Sequence, residues 1–197
     1  MRIAPLIAGL MLTLVGTIGR SAEPQLIFEP RPFGTRVLNP LAGDQDAAQP
    51  IGSSAKVIPY DGTYEAGTVL ISTSRRRLVL VTSASSAREY RIAVGKEGYA
   101  WAGTEKVSRK MIWPDWRPPA DMRKRRPDLP AFVEGGPTNP MGARALYLGS
   151  TLYRIHGSNE PQTIGRAVSS GCIRMTNEDV IDLYDRVPVG ATVVVAR

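Results

Sequence analysis

The 197-residue chain contains a single cysteine and a single histidine. That scarcity excludes an internal disulfide and any zinc site built only from Cys and His ligands. Aromatic residues make up only 7% of the chain, and no internal repeat is visible. After the first twenty residues no apolar run is long enough to span a membrane. Acidic residues are outnumbered, 18 Asp plus Glu against 25 Lys plus Arg, for a net charge of +7. A basic surface suits an anionic partner such as nucleic acid, a membrane or a polyanionic wall polymer, and charge alone does not choose among them. What is present is enough apolar material, 43%, to pack a core, which excludes global disorder. The length fits one domain with a tail.

Arg2 precedes an uncharged apolar stretch from Ile3 to Ile18, including Leu6, Ile7, Leu10, Met11, Leu12, Leu14 and Val15. A positive start followed by such a run predicts a signal peptide over residues 1–22 and hence export. The cut is expected near Arg20, Ser21 or Ala22. Pro5, Gly9, Gly16 and Gly19 argue against a stable buried helix there. Residues 23–59 carry Pro24, Pro30, Pro32, Pro40 and Pro50 without helical or strand periodicity, and are predicted to be a linker or N-terminal tail.

From Tyr60 to Arg197 the texture becomes that of one β-rich domain. Short β-branched runs predict strands at Thr68–Ser72, Leu78–Thr82 and Tyr90–Val94. Further strands are expected at Glu105–Trp113, Ala145–Leu148, Thr151–His156 and Ala191–Ala196. Between them, Pro114 to Pro140 reads as too broken for regular structure, and a loop of that length inside a domain is usually functional or disordered. One helix is predicted after a Thr176 or Asn177 cap. Asp179 lies at capping-box spacing, and Val180, Leu183, Tyr184 and Val187 form one apolar stripe ended by Pro188 and Gly190. Frequent short strands with one helix point to a β-sandwich or small barrel.

Export changes the meaning of the lone thiol, because an unpaired cysteine outside the cytoplasm points to intermolecular pairing or reactivity. A lone cysteine is by default a small buried hydrophobe, and a lone histidine is by default structural. Against that default, His156 ends a predicted strand and Cys172 follows sixteen residues later within Ser169-Ser170-Gly171-Cys172-Ile173-Arg174-Met175. An imidazole is what a thiol needs to act as a nucleophile. Gly171 has no Cβ and lets the chain approach a carbonyl closely, and the N–H groups of Gly171 and Cys172 are candidate oxyanion donors. Arg174 is placed to hold a carboxylate.

The stretch HGSNEPQTIGRAVSSGCIRMTNEDVIDLYDRV resembles the signature of the L,D-transpeptidase catalytic domain, also called the YkuD domain. Asn139 to Gly149 (NPMGARALYLG) and Trp113-Pro114-Asp115-Trp116 are similar to that family too, so that the resemblance runs over about Gly67 to Arg197. It implies a mostly β, flattened barrel or sandwich with one or more short helices. It also implies an exported enzyme that remodels peptidoglycan stem peptides through a cysteine acyl-enzyme. By position, Cys172 resembles the nucleophile and His156 its base. The Gly157 carbonyl would orient the imidazole, Gly171 and Cys172 would supply oxyanion N–H groups, and Arg174 would shape the site or grip a stem carboxylate. Ser170 stands where many members carry a second histidine, and Asn159 is expected to fix the loop after His156. The implied reaction expels D-Ala and passes the acyl group to an amine on another stem or on a wall-anchored protein. The alternatives are an L,D-carboxypeptidase of the same fold or a non-catalytic wall-binding module. No metal, cofactor, nucleic acid or oligomer is called for, and no membrane span is expected once the signal is removed.

Two basic runs remain. Arg75-Arg76-Arg77 reads as a solvated hairpin tip or, as the alternative, a contact for an anionic wall. Arg123-Lys124-Arg125-Arg126 reads as an exposed loop or a substrate-facing lid. Trp101, Trp113 and Trp116 read as packing anchors.

Overall fold

Val69 with Ile71, Leu78 with Leu80, Leu146 with Leu148 and Val193 with Val195 alternate onto one face that must leave water, and the intervening Leu70, Val79 and Val194 are buried as well. The computed structural model describes residues 52–197, and the predicted signal and most of the predicted linker lie outside them. Eleven strands, two helices and a short 3-10 turn are present among the described residues. In chain order they begin with β1 (Lys56–Pro59), β2 (Val69–Ser72), β3 (Arg77–Val81), β4 (Ser86–Arg91), β5 (Val94–Gly95) and β6 (Gly103–Ile112). Then come α1 (Ala120–Arg125), β7 (Arg144–Leu148), β8 (Arg154–His156), the turn Pro161–Thr163, β9 (Ala167–Ser169), β10 (Ile173–Arg174), α2 (Asn177–Arg186) and β11 (Thr192–Ala196).

Nine strands form one sheet in the order β1-β4-β3-β2-β11-β6-β7-β8-β10, and β5 pairs with β9 in parallel. The C-terminal strand β11 joins the two halves, parallel to β2 and antiparallel to β6. Right-handed strand twist curls a sheet this wide. Its apolar faces meet α2, whose Val180 and Leu183, with Val187 just beyond its end, join Leu146, Ile155, Ile173 and Met175 in one core. The fold is therefore mostly β, as the sequence predicts. No helix among the described residues is long and apolar enough to cross a membrane.

Several elements depart from expectation. Residues 56–59, assigned to the linker, instead form β1, antiparallel to β4 at the sheet edge. Tyr90–Val94 is divided between β4 and β5, and β9 has no alternation that would announce it. The Pro114–Pro140 segment is more ordered than its prolines imply: it holds α1 and a bridge between Trp116 and Val133. The expected capping box is half made. Thr176 Oγ1 accepts the Asp179 N–H at 3.2 Å. The Asp179 carboxylate instead turns to the incoming chain, accepting from the Ser54 N–H at 2.7 Å and from the Ser53 and Ser54 hydroxyls at 2.9 and 2.8 Å. Beneath α2 the buried Asp182 accepts from Tyr90 Oη at 2.8 Å, Arg88 Nε at 3.2 Å and Arg186 Nε at 2.8 Å. A buried carboxylate is tolerable only with such partners.

Candidate active site

His156 is the last residue of β8, and it sits in register with Arg174 of the parallel strand β10. Ile155 and Ile173, also in register, face the core, so His156, Cys172 and Arg174 fall on the other side of the sheet. His156 is 4% exposed. Its Nδ1 lies 2.6 Å from the Gly157 carbonyl oxygen. A carbonyl only accepts, so Nδ1 carries the proton and Nε2 of the neutral ring is left as the basic nitrogen. Burial foremost, and then the Arg174 and Arg154 charges, push the imidazole pKa down from 6.5 to about 4 against the opposing pull of the Gly157 and Met141 carbonyls. The ring is thus neutral at physiological pH.

Gly157 is required by its surroundings. Its N–H donates to the Arg144 carbonyl at 3.0 Å, and an added Cβ would run into the Asn177 side-chain oxygen and come within 3.0 Å of the Ala143 nitrogen. Asn177 Oδ1 is occupied in turn by the Ala143 N–H at 2.8 Å, which ties the start of α2 to the loop under the imidazole. On this loop the Asn159 Nδ2 donates to the Thr138 carbonyl at 2.9 Å, fastening the loop to the Pro-rich segment.

Cys172 is half-buried, immediately before β10. Its thiol donates to the Leu152 carbonyl at 3.7 Å rather than to His156, so the two groups share a face but no hydrogen bond. The turn that presents it is held by Ser169, whose hydroxyl donates to the Cys172 carbonyl at 2.6 Å and accepts the Gly171 N–H at 3.1 Å. That second bond occupies the Gly171 N–H, and among the described residues no hydrogen bond takes the Cys172 N–H. Gly171 also serves by conformation. Its φ is +109°, in the region that favours glycine, and a Cβ there would stand 2.6 Å from Tyr153 Cε1. Its carbonyl accepts from Trp101 Nε1 at 3.0 Å, and the Trp101 ring stacks on Tyr153 at 4.4 Å with 6° between planes. Trp101 is the anchor predicted. Trp113 is not, since it is exposed at a φ of 43°.

Arg174 lies between two roles. Its Nη1 pairs with Glu160 at 3.1 Å, while its buried Nε has no hydrogen-bond partner among the described residues. Ser170 is exposed. Leu152 and Glu160 were missed from sequence. Leu152 contributes only a backbone carbonyl, for which no sequence signal exists, whereas an acid four residues past His156 was a readable one. The basic run at Arg123–Arg126 lies exposed on and beside α1, with Arg126 paired to Asp128. At the β2–β3 hairpin, Arg76 reaches the Gly165 carbonyl at 3.3 Å and Arg77 pairs with Glu89. No cluster of metal-ligating side chains occurs among the described residues.

A curled β-sheet domain that presents a thiol and a buried neutral imidazole on neighbouring strands defines the class. Residues 66–195 match the profile of the YkuD family, the L,D-transpeptidase catalytic domain, and the chain belongs to that family. Among its relatives, probable L,D-transpeptidase ErfK/SrfK of Escherichia coli is 41% identical over 64% of this chain and 42% of its own length. Probable L,D-transpeptidase YbiS of the same organism is 38% identical over 75% of this chain and 51% of its own length. The chain thus spans about half the length of these relatives. A solved Brucella melitensis structure, named as a probable carnitine operon oxidoreductase, is 44% identical with a TM-score of 0.50, covering 72% of this chain and 92% of that one. An L,D-transpeptidase from Mycobacterium smegmatis shares the fold at 16% identity and a TM-score of 0.54, covering 66% of this chain and 58% of that one.

Proposed function

We propose that this chain is an exported L,D-transpeptidase of the periplasm or cell envelope, acting on peptidoglycan stem peptides through a thioester on Cys172. The observation that carries the reading is the 2.6 Å contact of His156 Nδ1 with the Gly157 carbonyl, beside the strand that follows Cys172. It leaves Nε2 as an acceptor on a ring that burial keeps neutral.

In this reading His156 Nε2 takes the Cys172 proton as sulfur attacks the carbonyl of the third stem residue. The oxyanion is met by the Cys172 N–H. The C–N bond to the terminal D-Ala then breaks, its nitrogen taking the proton back from His156. An acceptor amine on another stem or on a wall-anchored protein attacks the thioester, and Cys172 recovers its proton. The thiol must first leave the Leu152 carbonyl, a weak bond at 3.7 Å. Arg174 holds a carboxylate once one displaces Glu160. Residues 1–22 serve as the export signal in this reading.

The test is incubation with a disaccharide tetrapeptide, read by mass spectrometry beside Cys172→Ala and His156→Ala. A cross-linked dimer with D-Ala release, lost in both variants, is expected. Release of D-Ala without cross-linking would move the assignment to a carboxypeptidase, and no reaction in any sample would overturn it.

A further inference from the structure

Three side chains in the same row of the sheet as Cys172 take no part in that mechanism. The antiparallel registers set Arg109 of β6 opposite Tyr147 of β7, and Tyr147 opposite Arg154 of β8. The β8–β10 register, with Ile173 opposite Ile155, carries the row on to Cys172. All four stand on the face away from the buried Leu146, Ile155 and Ile173. The Arg109 guanidinium lies 4.0 Å from the Tyr147 ring centroid and that of Arg154 lies 5.2 Å from it. Arg154 Nη1 also donates to the Leu152 carbonyl at 3.0 Å, the same oxygen that accepts the Cys172 thiol. One end of the row is therefore tied to the nucleophile's own partner.

The charge of this row is uncompensated. Among the described residues no carboxylate pairs with Arg109 or Arg154, whereas Arg77, Arg117, Arg126 and Arg174 are each ion-paired. Stacking on one ring holds two like charges near each other, leaves the N–H groups other than Arg154 Nη1 to meet a planar anion, and limits the entropy lost when one binds. Leu152, 68% exposed, sits beside this row at the thiol end.

We infer that Arg109, Tyr147 and Arg154 form a carboxylate-binding subsite for a peptide that reacts at Cys172. The inference rests on the transpeptidase reading for the nature of that peptide. Adjacent strands are about 4.8 Å apart, so a carboxylate over Tyr147 lies roughly 10 Å from the reacting carbonyl. That is about three residues of extended chain. The carboxylate belongs either to the acyl donor or to the amine acceptor.

The test is calorimetric titration of the full chain carrying Cys172→Ala with a tetrapeptide donor and, separately, with an amine-bearing tripeptide acceptor. Each peptide is used with its carboxylates free and amidated one at a time. At low salt the free acid should bind about five-fold tighter than the matching amide, the scale of an exposed ion pair. That ratio should fall toward one in added Arg109→Gln or Arg154→Gln. A preference in the donor titration assigns the carboxylate to the donor, and one in the acceptor titration assigns it to the acceptor. No preference with either peptide, or one that survives both substitutions, overturns the subsite. Because binding is read without turnover, an acid preference that depends on Arg109 stands even if the wild type releases no D-Ala.

Discussion

At the scale of the residue, the decisive group is His156, whose buried ring is neutral well below the pH at which a free imidazole charges. Nitrogen chemical shifts of His156 should show a neutral ring protonated at Nδ1 down to about pH 5, with protonation centred near 4. A midpoint near 6.5 would contradict the burial argument. The same displacement fixes a stability trend. Between pH 6.5 and about 4 the unfolded chain takes up a proton that the folded chain refuses, so stability falls as the pH falls through that window and levels off below it. The His156 contribution to that loss is about 3 kcal/mol. Denaturant titrations of wild type and His156→Gln should show the acid slope flattened in the variant. Gly171→Ala should be more harmful than its one added methyl implies, because both its positive φ and the Tyr153 ring oppose a Cβ. We expect loss of thiol alkylation rate and a lower melting temperature, measured by mass spectrometry and calorimetry.

At the scale of the element, the turn from Ser169 to Cys172 is held from outside by Trp101. Trp101→Phe keeps the stack on Tyr153 but removes the indole N–H bond to the Gly171 carbonyl. Loss of one such bond costs about 1 kcal/mol and should slow thiol alkylation several-fold while moving the melting temperature only slightly. Helix α2 makes the opposite case. Thr176→Ala deletes its cap and should cost about 1 kcal/mol in denaturant unfolding. Asp182→Asn unbalances a buried carboxylate with two arginines and should cost about 3 kcal/mol or more. The capping signal at Thr176 and the stripe from Val180 to Val187 were legible because both are local. The destination of the Asp179 carboxylate was not, because its partners Ser53 and Ser54 lie far back in the chain.

At the scale of the whole molecule, the edge strand β1 and the Ser53–Ser54 clasp on Asp179 make residues 53–59 part of the domain. Removing residues 1–62 should therefore lower the melting temperature by several degrees relative to removing residues 1–51, measured side by side.

The sequence by itself determined the strand-rich class, because short β-branched runs favour the extended chain locally and need no partner to be read. It also singled out Cys172 and His156 as candidates, since each is the only residue of its kind. Tertiary structure alone decided what surrounds them. Sheet register set Arg174 beside His156 and Arg154 level with Cys172. Backbone carbonyls of Gly157 and Leu152 took the imidazole and the thiol, and Ser169 took the Gly171 N–H. Every one of these is a contact made by main-chain atoms or by strands distant in sequence. Residue identity says nothing about a carbonyl's direction until the chain has folded around it.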